Sequence, residues 1–199
     1  MAPRSRLGTR FWRETLTFVQ MRYTFVRHEP TAALRGAPIV LERAFLSFYD
    51  FDNAPSGSRE CVAIRGAAVV QWAGSTQVRT YTNVRAVLEA SAGGGSIGPP
   101  GVSAVNEWNA ADGSGASSWS NEPLYCGSEA GTGEDNPVWP ARMSELERRR
   151  AIMAELISTS SLIVRHAISG CCSTGRNFLF AGLRLHTLSA CRLDDCLHA

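Results

Sequence analysis

The chain of 199 residues contains no lysine, so all 20 of its basic side chains are arginine. Arginine pairs with phosphate in a bidentate way, but the 18 acidic residues leave a formal net charge of only +2. So small an excess provides no electrostatic attraction for nucleic acid or for a membrane surface. We interpret the missing lysine as coding bias in a GC-rich genome, and we predict no nucleic-acid partner.

Long apolar runs are also missing. No stretch of about 18 apolar residues occurs, which predicts that there is no transmembrane segment. Residues 1–37 form a basic leader without the apolar core of a secretory signal. They are compatible with a transit-type peptide, or with a misassigned start codon that hides a signal peptide. In that second case we expect an extracellular or cell-surface protein. Residues 16–25 of the leader alternate between apolar and polar side chains, which is typical of a strand.

Motifs of common catalytic sites do not occur. There is no Gly-x-Ser-x-Gly nucleophile elbow and no phosphate-binding glycine loop of the Walker type. The cysteine and histidine spacing near the end of the chain is not that of a structural zinc site. His166 stands in an apolar strand pattern, which favours a core residue over a catalytic base. We therefore predict a non-catalytic module, with a hydrolase that uses an Asp/Glu/His site on polysaccharide or ester substrates as the alternative.

What is present is a series of short alternating segments separated by turn residues. They lie at residues 39–51, 61–64, 67–72, 77–82, 161–168 and 176–182. A helical pattern begins at Ser144, where Glu147 has the spacing of a capping box, and Arg148–Arg150 are predicted to be its solvated end. This pattern predicts an all-β fold, an antiparallel β-sandwich of jelly-roll type, with one short helix near residues 143–155.

Composition divides the chain further. Residues 38–187 are predicted to form the sandwich, interrupted at residues 91–120 by a flexible Gly/Ser-rich insertion. Trp108 and Trp119 of the insertion are expected to lie loosely on the domain, with partner binding as the alternative. Residues 188–199 form a tail with Cys191 and Cys196. These two are predicted to form a disulfide in an exported protein, and unpaired buried thiols are the alternative.

An acidic segment, Asp50 to Asp52, follows the first long strand pattern. Asp50 and Asp52 share one strand parity, so both carboxylates are expected on one face. Asn53 follows them, and Glu60 comes after the turn. A second oxygen-rich loop carries Asp135 and Asn136. Because calcium takes six to eight oxygen ligands, these residues (Asp50, Asp52, Asn53, Asp135 and Asn136) predict a structural calcium site. The alternative is that Asp52 and Asn53 only cap a turn through Asx hydrogen bonds.

Aromatic side chains suggest a ligand surface. Tyr49, Trp72, Tyr81 and Trp139 have rings that can stack on a sugar, and loops and edges of a sandwich present such rings on a rigid scaffold. A glycan or a surface protein is therefore the expected partner.

Three short blocks of the sequence resemble a β-sandwich module of predicted proteins from marine algae and protists, with similar patterns in bacterial surface proteins. The blocks are Phe48–Asp52 with Arg59–Val62 and Gly66, then residues 131–137, then residues 175–180. The resemblance implies an extracellular, non-enzymatic module that is stabilised by calcium.

Overall fold

The protein folds into two antiparallel β-sheets in a computed structural model. The structure describes residues 15–27, 36–53, 57–110, 119–131, 143–170 and 179–183. The strands are β1 Leu16–Thr24, β2 Leu41–Tyr49, β3 Arg59–Arg65, β4 Val69–Trp72, β5 Val78–Tyr81, β6 Leu124–Gly127, β7 Ile152–Thr159, β8 Ser161–Ser169 and β9 Leu179–Leu183. The predicted antiparallel β-sandwich is thus confirmed. Strand β1 lies within the region predicted as a leader.

The strand order is β1-β8-β3-β6-β5 in one sheet and β4-β7-β2-β9 in the other. Strands from the beginning and the end of the chain alternate in each sheet, as in the winding of a jelly roll. Strand β5 pairs with β6 and not with β4. Among the described strands, β4 therefore has a neighbour on one side only.

The main core lies between the two sheets. Alternate residues of each strand point inward, so Phe48, Val62, Leu156 and Val164 meet there and are almost fully buried. This alternation is the period-2 pattern visible in the sequence.

A second apolar layer covers the outer face of the five-stranded sheet. It consists of helix α1, Val84–Ser91, helix α2, Pro99–Ala110, and the segment around Trp119. Trp108 and Trp119 are fully buried against this face. The prediction of a flexible insertion at residues 91–120 is therefore wrong where α2 and Trp119 lie. Each indole ring buries a large apolar area, and this burial stabilises regular structure in the segment despite its Gly/Ser-rich composition.

A buried arginine holds this layer in place. The guanidinium carbon of Arg165 lies 5.0 Å from the ring centre of Phe18, 4.9 Å from that of Trp108 and 4.2 Å from that of Trp119. Its Nε donates to Gln20 Oε1 at 2.9 Å, and its Nη1 donates to the carbonyl of Trp108. Arg65 lies over Trp119 at 3.9 Å. Cation–π contacts thus connect the helical layer to strands β1, β3 and β8.

Helix α3, Glu145–Arg149, begins with the predicted capping box. Ser144 Oγ accepts from the Glu147 amide at 3.2 Å, and the Glu147 carboxylate accepts from the Ser144 amide. The helix ends earlier than predicted, because residues from Ile152 onward form strand β7 in the middle of the four-stranded sheet. Burial of that strand outweighs its local helical propensity. No described helix is long and apolar enough to cross a membrane.

Candidate cation site

The acidic segment, Asp50 to Asp52, lies directly after the end of strand β2. Strand β2 ends at Tyr49, and Asp50 adopts a left-handed backbone with φ 65°. This conformation is rare for residues other than glycine, although aspartate tolerates it better than most. Asp50 and Asp52 are thus brought together by a turn of the backbone at Asp50, and not by strand parity as predicted.

Three carboxylates converge at this point. One oxygen each from Asp50, Asp52 and Glu60 lies within 4.8 Å of the others. Two oxygens bound to one calcium ion, at a bond length of about 2.4 Å, can be no more than about 4.8 Å apart. The three residues are 9%, 6% and 4% exposed. Their geometry is thus sufficient to hold a metal ion, and their burial places such an ion inside the fold.

Arg150 reaches the same cluster from the end of α3. Its Nη1 donates to Asp52 Oδ1 at 2.8 Å, its Nη2 to the Ala130 carbonyl at 2.8 Å, and its Nε to Gln77 Oε1 at 2.9 Å. Arg150 is buried, so the prediction of a solvated helix end is wrong for this residue. The ion pair fixes the orientation of Asp52 and ties the β2 end to α3, and the hydrogen bond to Gln77 extends this link to the residue before β5.

The backbone is packed closely around Asp52. A β-carbon at Gly131 would lie 1.7 Å from Asp52 Oδ2, and one at Gly127 would lie 2.5 Å from the Phe51 carbonyl. Glycine is therefore required at both positions. The Asp52 amide also approaches Glu60 Oε2 at 3.4 Å, and the Asp52 carbonyl accepts from the Glu60 amide at 2.9 Å. These contacts hold Asp52 and Glu60 as neighbours.

Of the other predicted ligands, Asn53 lies beside the cluster. Its backbone N–H donates to the Glu129 carbonyl at 2.8 Å, and its side-chain Nδ2 approaches the Ser128 carbonyl at 3.5 Å. Its side-chain oxygen is buried and has no partner among the described residues. Asp135 and Asn136 lie outside the described residues, so their place in the predicted calcium shell stays a prediction. The Asp52 carboxylate pairs with Arg150. The turn that Asp52 and Asn53 would cap includes residues 54–56, which lie outside the described residues, so the Asx cap stays a prediction as well.

The aromatic residues predicted for ligand binding differ in exposure. Tyr49 is buried, and burial raises the pKa of its hydroxyl, so its ring offers no face to a ligand. Tyr81 is half-buried with its hydroxyl inside the protein, and Arg59 lies 6.0 Å from its ring centre. Trp72 is 42% exposed. Trp139 lies outside the described residues.

His166 lies in the main core, as predicted. It is 2% exposed, and its ring centre lies 5.8 Å from that of Phe48. Burial lowers its pKa from 6.5 to about 4, because the apolar surroundings disfavour the charged imidazolium. The side chain is therefore neutral at physiological pH and out of reach of a substrate.

A disulfide joins Cys61 of β3 to Cys126 of β6, which are direct partners across the two strands. The sequence did not reveal this pair, since it depends on the register of strands separated by 65 residues. Cys191 and Cys196, predicted to pair, lie outside the described residues.

No protein-family model, curated protein or solved structure matches this chain. The resemblance to the algal and protist module therefore stays a prediction, and function has to be argued from the site itself.

Proposed function

We propose that this chain is a non-catalytic, exported β-sandwich module that binds a ligand at its surface and is stabilised by calcium. The observation that carries the proposal is the convergence of the Asp50, Asp52 and Glu60 carboxylates within 4.8 Å inside the fold. An all-oxygen donor set suits calcium better than zinc or copper, which prefer nitrogen and sulfur ligands.

Burial of the three carboxylates supports a structural ion over a hydrolytic site. A catalytic acid and base must reach the bond that they cleave, whereas these groups are at most 9% exposed. His166 is buried as well. An ion at this position would instead link the β2 end to β3 and, through Asp52 and Arg150, to α3.

The Cys61–Cys126 disulfide supports export. Disulfides persist in oxidising compartments such as the cell exterior and are rare in the cytosol.

The experiment is thermal unfolding of wild type in calcium and in chelator. Binding to the native state alone stabilises by about 2.7 kcal/mol at a hundredfold excess over Kd, which corresponds to roughly 5–10 °C for a domain of this size. Glu60→Gln preserves the shape of the side chain and one acceptor oxygen while removing a ligand charge, so it should abolish most of the calcium shift. Glu107→Gln on the exposed face of α2 is the matched control. Identical curves for wild type in both conditions would refute the calcium proposal.

A further inference from the structure

We propose that the open edge beside β4 is the ligand site of this module, and that its ligand is a saccharide whose ring stacks on Trp72. The inference rests on the proposed function, since it names the ligand of the binding module. The starting observation is topological: β5 pairs with β6, so β4 borders only β7 among the described strands. Within the part of the chain that the structure describes, the four-stranded sheet therefore ends at β4, where a complete jelly roll would have a further strand.

Trp72, the last residue of β4, lies at this opening. Its ring centre is 5.9 Å from that of Tyr125, with an angle of 49° between the ring planes. Tyr125 belongs to the buried core, whereas Trp72 remains 42% exposed. Contact with a buried ring restrains the indole without covering it. A flat apolar surface that is already fixed loses little conformational entropy when a ligand binds.

The surroundings of Trp72 supply uncharged polar groups. Thr80 is exposed and pairs across β5 and β6 with Tyr125, the residue whose ring Trp72 contacts. Ser75 is exposed in the turn after β4, whereas the Thr76 hydroxyl is held by the Arg149 carbonyl and the Val78 amide. Arg149, the charged group bound to this turn, donates its Nε to the Ser75 carbonyl at 2.8 Å. A pyranose combines an apolar face with a rim of hydroxyls, which matches an exposed aromatic ring beside hydroxyl groups.

Trp72 differs from the other exposed hydrophobic residues of the described chain in being aromatic, not in how exposed it is. Val69 on the same strand is similarly exposed, at 47%, but it is aliphatic and cannot stack on a ring. Single exposed aliphatic residues are ordinary on protein surfaces. Val69→Ala is therefore a matched control for Trp72→Ala, since both remove an exposed apolar side chain from β4.

The test uses a glycan array followed by calorimetric titration with the oligosaccharides that bind. We expect Trp72→Ala to weaken binding at least tenfold, Trp72→Phe to weaken it less, and Val69→Ala to leave it unchanged. Melting curves show that each variant is folded. Glycan binding that survives Trp72→Ala overturns this site while leaving the binding module intact. The proposal that the ligand is a saccharide is overturned if no glycan binds. It is also overturned if a peptide binds and Gln71→Pro on the edge strand β4 abolishes that binding. The calcium response of wild type is measured separately and distinguishes these failures from failure of the proposed function.

Discussion

The Cys61–Cys126 disulfide should be a major contributor to stability. It closes a loop with a sequence separation of 65 residues. In the chain-entropy model, a cross-link of that span removes enough freedom from the unfolded chain to stabilise the fold by about 4 kcal/mol. This is a large share of the roughly 5–15 kcal/mol by which domains are usually stable.

The assay is urea unfolding of the same wild-type protein with the disulfide intact and after reduction. Reduction keeps both sulfur atoms in place and so avoids the cavity that Cys61→Ala with Cys126→Ala would add. The same comparison in a Cys191→Ser, Cys196→Ser background removes the contribution of the other predicted disulfide. The free energy of unfolding decreases by about 2 kcal/mol per molar urea, so a loss of about 4 kcal/mol should lower the urea concentration at the unfolding midpoint by about 2 M. Peptide mapping by mass spectrometry should recover the two cysteines in one linked species. Equal midpoints for the oxidised and reduced protein would refute the reasoning.

Three further outcomes are expected. The free energy of unfolding should fall by up to about 2–3 kcal/mol as pH drops from 6.5 towards 4. The reason is that the fold lowers the pKa of His166 to about 4, so the unfolded chain binds the proton first. Urea unfolding at several pH values in this range should show the decrease, and His166→Gln should make it smaller. Arg150→Gln should destabilise the protein by about 3 kcal/mol in chelator, since it leaves the buried Asp52 carboxylate without its ion pair, and calcium should restore part of the loss; a calcium shift equal to that of wild type would contradict this. Arg165→Met should lower the melting temperature and increase proteolysis around Trp119, because the cation–π contacts to the helical layer are lost; an unchanged digestion pattern would count against that role.

The strands could be predicted from the sequence because their evidence is local. Alternation and turn residues located β2 to β5, β8 and β9 to within a few positions, and the Ser144 capping box located the start of α3. Helix α2 was missed because glycine, serine and proline dominate its surroundings. Its first two residues are Pro99 and Pro100, and proline at a helix start is a favourable signal that could have revealed it.

The candidate site was predicted in part. Asp50 and Asp52 stand out because they are close in sequence, and Glu60 follows the same turn. Arg150 could not be identified, because three consecutive arginines look alike in sequence and only the tertiary fold buries the third. The helical layer poses the same difficulty, since its contacts with Arg165 join segments far apart in the chain.

The position of β8 between β1 and β3 has a consequence for synthesis. Every residue of β1 pairs with β8, which leaves the ribosome roughly 140 residues later. At about 5–20 residues per second, β1 would wait on the order of ten seconds for its partner. During that time its apolar residues and its unpaired backbone edge would be exposed in the nascent chain. We expect this interval, more than the stability of the finished sandwich, to determine how much of the protein depends on chaperones during its production.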